Sequence, residues 1–171
     1  MIKVRHENPK DALIVREVNE RAFGQPQEAN IVDRIRFNCT NILSLVAVDG
    51  DDIVGHIFFS PAVIESKDGI IEGMGLAPIA VLPKYQNQGI GTELVRKGLE
   101  ILQGKLCPFV IVLGHPDYYP RFGFERASDY RLKSQWEGVP DEAFMVIFFN
   151  ESLKRDISGI AKYRDEFNEA M

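Results

Sequence analysis

The sequence predicts an α/β fold, a mixed sheet with helices on both faces. Three observations carry that prediction. Residues 44–81 hold three apolar stretches separated by Asp49-Gly50 and Asp68-Gly69, the turn signals of a strand meander. An amphipathic stretch from Gly89 to Leu102 is followed by the fully apolar Phe109-Val110-Ile111-Val112-Leu113, so a strand–helix–strand unit sits in mid-chain. Two helix-periodic stretches precede the meander.

The elements follow in order. Ile2-Lys3-Val4 alternates and reads as a first strand. Asn8-Pro9-Lys10-Asp11 reads as a helix start: Asn8 caps, Pro9 fits the first turn, and Asp11 favours the positive end of the helix dipole. Ile14, Val15, Val18, Ala22 and Phe23 then recur at helical spacing until Gly24-Gln25-Pro26. A second helix begins near Gln27 with Ile31, Val32 and Ile35 on one face. Ser44–Val48, Ile53–Ser60, and Val63–Ile71 with its internal turn are strands, and Glu72–Val81 is a long third strand of the meander. Pro78 marks an irregularity in it, because proline lacks a ladder donor. In the Gly89–Leu102 helix, Ile90, Leu94, Val95, Leu99 and Leu102 form one stripe, and the connection to Phe109–Leu113 is a right-handed parallel crossover. Tyr118–Phe122 is a short turn or helix, and Phe124–Ala127 and Ala143–Phe149 are late strands. Leu153, Ile157, Ile160, Ala161 and Phe167 read as an amphipathic terminal helix, which divides the chain into a domain over 1–150 and a helix over 151–171 packed on it.

Composition narrows the function classes. At 171 residues the chain suits one domain with a real core. Lys and Arg total 20 against 25 Asp and Glu, a formal net charge of −5. Such a chain has no general attraction to phosphate backbones, which argues against nucleic acid as a partner. No apolar run approaches the ~20 residues that cross a bilayer, so no membrane association is expected. The first ten residues lack the apolar core of a secretory signal. Cys39 and Cys107 have no metal-ligand spacing, and no metal site is expected. These features fit a cytoplasmic protein in a reducing compartment.

The chemistry concentrates in Ala80-Val81-Leu82-Pro83-Lys84-Tyr85-Gln86-Asn87-Gln88-Gly89-Ile90-Gly91-Thr92. A strand ends, a polar loop follows, and a helix begins with Gly-x-Gly. The first N–H groups of a helix have no intrahelical acceptor, and the dipole adds roughly half a positive charge there. Glycines at 89 and 91 let a bulky anion approach the backbone. The arrangement suits a pyrophosphate, although the same glycines also serve a tight strand–helix turn. No Gly-Lys-Ser/Thr follows, so it is not a Walker loop. Leu94 stands where a dinucleotide fingerprint needs its third glycine.

Gln86-x-x-Gly89-x-Gly91 resembles the Q/R-x-x-G-x-G/A acyl-CoA signature of the GNAT N-acetyltransferase superfamily. Tyr119-Pro120-Arg121-Phe122-Gly123-Phe124 is similar to the Y-x-x-x-G-F that closes the next unit of that family, and Gly114-His115-Pro116-Asp117-Tyr118-Tyr119 resembles one bacterial branch of it. The resemblance covers about residues 1–150. It implies a mixed, mostly antiparallel central sheet, acetyl-CoA as cosubstrate, and direct attack of an amine on the thioester. It further implies that backbone amides at Ile79 and Val81 hold the pantetheine arm, and that those of Gln86, Asn87, Gln88, Gly89, Ile90, Gly91 and Thr92 hold the pyrophosphate. Tyr119 matches the tyrosine that protonates the leaving thiolate, with Tyr118 as the neighbouring candidate. Where several members carry a glutamate base this sequence has Gly75, so Glu72, His115 and water all stand as candidates. His115 is also a candidate turn residue, and Trp136 either lines a substrate pocket or covers the sheet. The acceptor is an amine, small or on a protein, and a homodimer is compatible with the resemblance. A CoA-binding sensor without catalysis and a binder of other nucleotides are the alternative readings.

Overall fold

A computed structural model describes all 171 residues. The chain forms two compact units interleaved in sequence: residues 1–59, 77–100 and 166–171, and residues 60–76 and 101–165. Two long strands, β3 (Asp52–Ser66) and β4 (Gly69–Val81), contribute to both.

In the first unit β1 (Ile2–His6) pairs antiparallel with β2 (Leu43–Asp49), which pairs antiparallel with β3. A two-residue turn at Gly50-Asp51 closes that hairpin, with Gly50 at φ +63° and Asp49 opposite Asp52. Strand β4 follows β3 around the turn at residues 67–68 and is its neighbour. Helices cover both faces of β3, and the strand's own alternation sorts them. Towards one face, a Cβ at Gly55 would lie 3.2 Å from Ile90 and 3.3 Å from Leu94 of α3 (Ile90–Gly104), and Phe59 lies against Gly98 of the same helix. Towards the other, His56 meets Asn19 of α1 (Ala12–Phe23), and Phe58 lies under Arg36 of α2 (Gln27–Asn38). Most of the apolar stripes expected of these helices are buried: Val15 and Val18, Ile31, Val32 and Ile35, Ile90, Leu94 and Val95; Ile14 and Phe23, expected on the first stripe, are exposed instead.

A polar chain is buried on the α1 side. Asn19 Nδ2 lies 3.0 Å from His56 Nδ1, and His56 Nε2 lies 2.8 Å from Ser44 Oγ. The Ser44 hydroxyl donates to Glu7, whose carboxylate is paired with Arg36. Asn19 donates to Nδ1, which leaves the Nε2 proton for Ser44 and keeps the ring neutral. Burial pushes the His56 imidazole down to about 3. Asp11 is buried as well. It accepts from Arg5 Nη1 at 2.7 Å and from the Asn8 N–H at 2.7 Å, which holds its carboxyl below its ordinary range.

In the second unit β4 pairs parallel with β5 (Phe109–Leu113) over Met74–Leu76, the expected crossover. Strand β8 (Phe144–Phe148) pairs antiparallel with β5, and the two-residue β6 (Glu125–Arg126) with β8. Strand β9 (Gly159–Lys162) lies between β3 and β7 (Leu132–Ser134). Most pairings are antiparallel, and no helix is long and apolar enough to cross a membrane.

Two expectations fail. The terminal helix is absent: residues 151–154 and 165–170 are 3-10 turns, with β9 between them. Gly159 explains why. A Cβ there would lie 2.0 Å from the Glu65 carbonyl oxygen and φ is +134°, so the backbone passes close against β3. The strand break expected between Ser60 and Val63 is also absent. Strand β3 runs through Pro61, because its pairing with β2 ends at Phe59 and that with β9 starts at Val63, where no ladder donor is missed. Pro78 follows a cis peptide bond.

Candidate active site

The loop between β4 and α3 is held by its own backbone and two glutamine side chains. Leu82 N–H donates to Val54 O at 2.9 Å, and a 3-10 turn at Pro83–Tyr85 is closed by Tyr85 N–H on Leu82 O at 2.8 Å. The Tyr85 hydroxyl donates to Asp49 at 3.0 Å. Gln86 turns its amide back onto Val81 O at 3.0 Å, and Gln88 onto Lys84 O at 3.2 Å. The signature glutamine therefore shapes the loop instead of reaching outward. Asn87 and Gly89 take positive φ, +63° and +86°. A Cβ at Gly89 would meet nothing within 4 Å, so its open side is space for a ligand.

Helix α3 begins directly after. Its first intrahelical bond from this turn is Glu93 N–H to Gly89 O at 3.1 Å. The N–H groups of Ile90 and Gly91 stand ahead of that bond, in positions no intrahelical carbonyl can reach. Gln86 to Gly89 are exposed, and Gly91 and Thr92 half-buried. The Ile90 side chain is buried against Gly55, so that residue offers only its N–H outward. Ile79 and Val81 are half-buried on β4. The helix-start donors, positive dipole end and open glycine form a cradle that could hold an anion.

In the second unit Tyr119 opens a 3-10 turn (Tyr119–Phe122) that starts when the His115 carbonyl accepts N–H from Tyr118 at 3.1 Å and Tyr119 at 3.4 Å. His115 is thus a turn residue through its backbone, with an exposed side chain. Gly123 ends the turn at φ +102°, where glycine is needed, and Phe124 packs edge-on against Tyr119 at 5.7 Å. These contacts explain the spacing of Tyr119, Gly123 and Phe124 in physical terms. Tyr119 is 7% exposed, and its ring lies where a Cβ of Gly114 would be, 2.4 Å from Cε2. Burial pushes its hydroxyl up to about 12, so it stays protonated at neutral pH and remains a proton donor. Tyr118 is half-buried beneath Arg121, whose guanidinium carbon lies 4.5 Å from its ring centroid.

The candidate bases Glu72 and His115 both have exposed side chains. Gly75 is roofed by the Tyr163 ring, 2.6 Å from where its Cβ would be, so no longer side chain fits there with Tyr163 in place. Trp136 stacks against the Tyr163 ring at 5.8 Å and 23°. Tyr163 was absent from the sequence expectations.

Residues 3–127 match the family model described as an acetyltransferase (GNAT) domain. The chain belongs to the GNAT acetyltransferase family. It is 34% identical over 166 residues to YhbS of Escherichia coli K12, named an uncharacterized N-acetyltransferase, covering 96% of this chain and 98% of that one. The crystal structure of YhbS from Escherichia coli in complex with CoA superposes with a TM-score of 0.90 at 33% identity, covering 98% of this chain and 92% of that one. A GNAT family acetyltransferase from Brucella melitensis in complex with acetyl-CoA gives a TM-score of 0.80 at 33% identity, with 98% of each chain covered. The fold, the family and the enzyme class expected from the sequence agree with these relatives.

Proposed function

We propose that the protein transfers the acetyl group of acetyl-CoA to an amine, with the α3 cradle holding the cofactor's pyrophosphate and Tyr119 supplying a proton. The observation that carries this reading is the cradle: the N–H groups of Ile90 and Gly91 at the start of α3, beside an open Gly89. CoA and acetyl-CoA in the two relatives support it. Backbone groups of Ile79 and Val81 would take the pantetheine amides, which suits their place on β4. The amine nitrogen adds to the thioester carbonyl, the C–S bond breaks, and the sulfur takes the Tyr119 phenolic proton. The attacking nitrogen must be unprotonated and loses one proton. With Gly75 covered, Glu72, His115 or water receives it, both side chains being exposed.

Acetyl-CoA binding tests the first half. At about 100 times its dissociation constant, a ligand of the folded state adds about 2.7 kcal/mol of stability, read as a rise in melting temperature. A panel of primary amines with detection of the released CoA thiol tests the second. An unchanged melting temperature at saturating acetyl-CoA overturns the cradle, and binding without thiol release for any amine leaves a sensor.

A further inference from the structure

The β4–β5 ladder ends in an unusual way. Its register runs Met74↔Val110, Gly75↔Ile111 and Leu76↔Val112. The last pair, Leu76 with Val112, presents the Leu113 N–H and the Leu76 carbonyl to each other, and the Tyr163 hydroxyl bonds to both: it donates to Leu76 O at 2.9 Å and accepts from Leu113 N–H at 3.2 Å. The Ile111 carbonyl oxygen lies 3.4 Å away. A direct rung spans about 2.9 Å from nitrogen to oxygen. An inserted hydroxyl holds the two groups further apart, so the strands part at this point.

Tyr163 is itself tightly placed. Its N–H donates to Gln135 Oε1 at 2.6 Å, and its ring lies between Gly75 and Trp136. The peptide it pins is the one leading into Gly114. On its other edge Gly114 is fixed by its N–H on Ala143 O at 2.9 Å. Gly114 is also the residue whose missing Cβ makes room for the Tyr119 ring.

We propose that Tyr163 is a positioning residue for acetyl transfer: its hydroxyl, inserted between Leu76 and Leu113, opens the β4–β5 ladder and sets the end of β5 against which Tyr119 is seated. The proposal rests on the role of Tyr119 given above. Tyr163 touches no reacting atom; it acts through the Leu113–Gly114 backbone. Without its hydroxyl, the Leu113 N–H and Leu76 carbonyl either close into a direct rung or lose their partners. Both outcomes move the seat of Tyr119, and small misplacements of a reacting group cost rate more than binding.

The experiment uses the full chain labelled with 3-fluorotyrosine, in Tyr163→Phe and in Gly75→Ala, which pushes the ring from the opposite side. The fluorine resonance of Tyr119 is assigned by its loss in Tyr119→Phe. Both variants are expected to shift it, whereas Tyr130→Phe, which removes a surface hydroxyl bonded to Glu125, leaves it in place. Steady-state thiol release from acetyl-CoA should show kcat lowered about 10–100-fold with KM for acetyl-CoA within about twofold. A merely structural tyrosine would lower the melting temperature and leave both readings alone. An unmoved Tyr119 resonance in Tyr163→Phe overturns the proposal, as does a moved resonance with unchanged kcat. Failure of the wild-type chain to bind CoA would instead overturn the acetyl-transfer reading and leave the resonance comparison standing.

Discussion

The α3 cradle and the ring cluster around Tyr119 are built on opposite plans. In the cradle the groups proposed to bind are backbone N–H, and the side chains of Gln86 and Gln88 turn back to brace the loop. In the cluster the proposed proton donor is a side chain, and glycines at 75, 114 and 123 make room for rings or allow the turn. A backbone site depends on local conformation and tolerates most side-chain changes. A side-chain site depends on packing against residues distant in sequence, so it is sensitive at places that touch no substrate.

The largest expected effect breaks the cluster. Tyr119→Phe keeps the ring on Gly114 and Phe124 and removes only the proton. Turnover should fall by about 10²–10⁴-fold in a thiol-release assay, with acetyl-CoA affinity nearly unchanged. Tyr118→Phe is the comparison and should lose far less, since that ring lies under Arg121. Equal losses would show that packing, not proton transfer, is at stake. In wild type the hydroxyl, raised to about 12 by burial, should impose no falling limb on the rate between about pH 7 and about pH 10.

A smaller effect breaks the cradle. Gly89→Glu adds bulk and negative charge where the chain has nothing within 4 Å. CoA affinity by calorimetry should fall about 100-fold, the equivalent of one or two charge-assisted hydrogen bonds. Gly89→Ala separates charge from backbone strain: at φ +86° it should cost about 1 kcal/mol of stability with far less loss of affinity. Affinity retained in folded Gly89→Glu would place the pyrophosphate elsewhere.

The smallest effect sharpens the contrast by leaving both regions alone. The unfolded chain takes up a proton at His56 below about pH 6.5, whereas the folded ring stays neutral down to about 3. Stability should therefore decline as pH falls through that window, at up to 1.4 kcal/mol per pH unit for about one proton. In His56→Gln the melting temperature should fall less steeply between about pH 6 and about pH 4. An unchanged slope would mean the imidazole is charged in the folded protein.

The same division decides what the sequence revealed. The cradle was legible because its cause is local: a strand end, Gly-x-Gly and a helical stripe lie within a few residues. The Tyr119-to-Phe124 turn was legible for the same reason. Tyr163 was not, because Gly75, Leu76, Leu113 and Trp136, which it touches, are remote in sequence. Its segment was misread because Ile157 and Ala161 fit a helical face, while the buried Ala161 and Tyr163 obey the alternation of a strand. The deciding signal was Gly159, a helix breaker that β9 needs for its passage along β3. The reason for Gly75 was hidden likewise, since the ring covering it comes from the far end of the chain.

The central claim is that backbone amides at the start of α3 receive the CoA pyrophosphate. Titrating the ¹⁵N-labelled protein with CoA, and separately with pantetheine, tests it directly. CoA should shift the amide resonances of Gly89, Ile90, Gly91 and Thr92 most strongly among residues 83–104, and pantetheine, which lacks the pyrophosphate, should leave them in place. Saturating CoA that leaves those four amides unmoved, or pantetheine that moves them equally, would contradict the account.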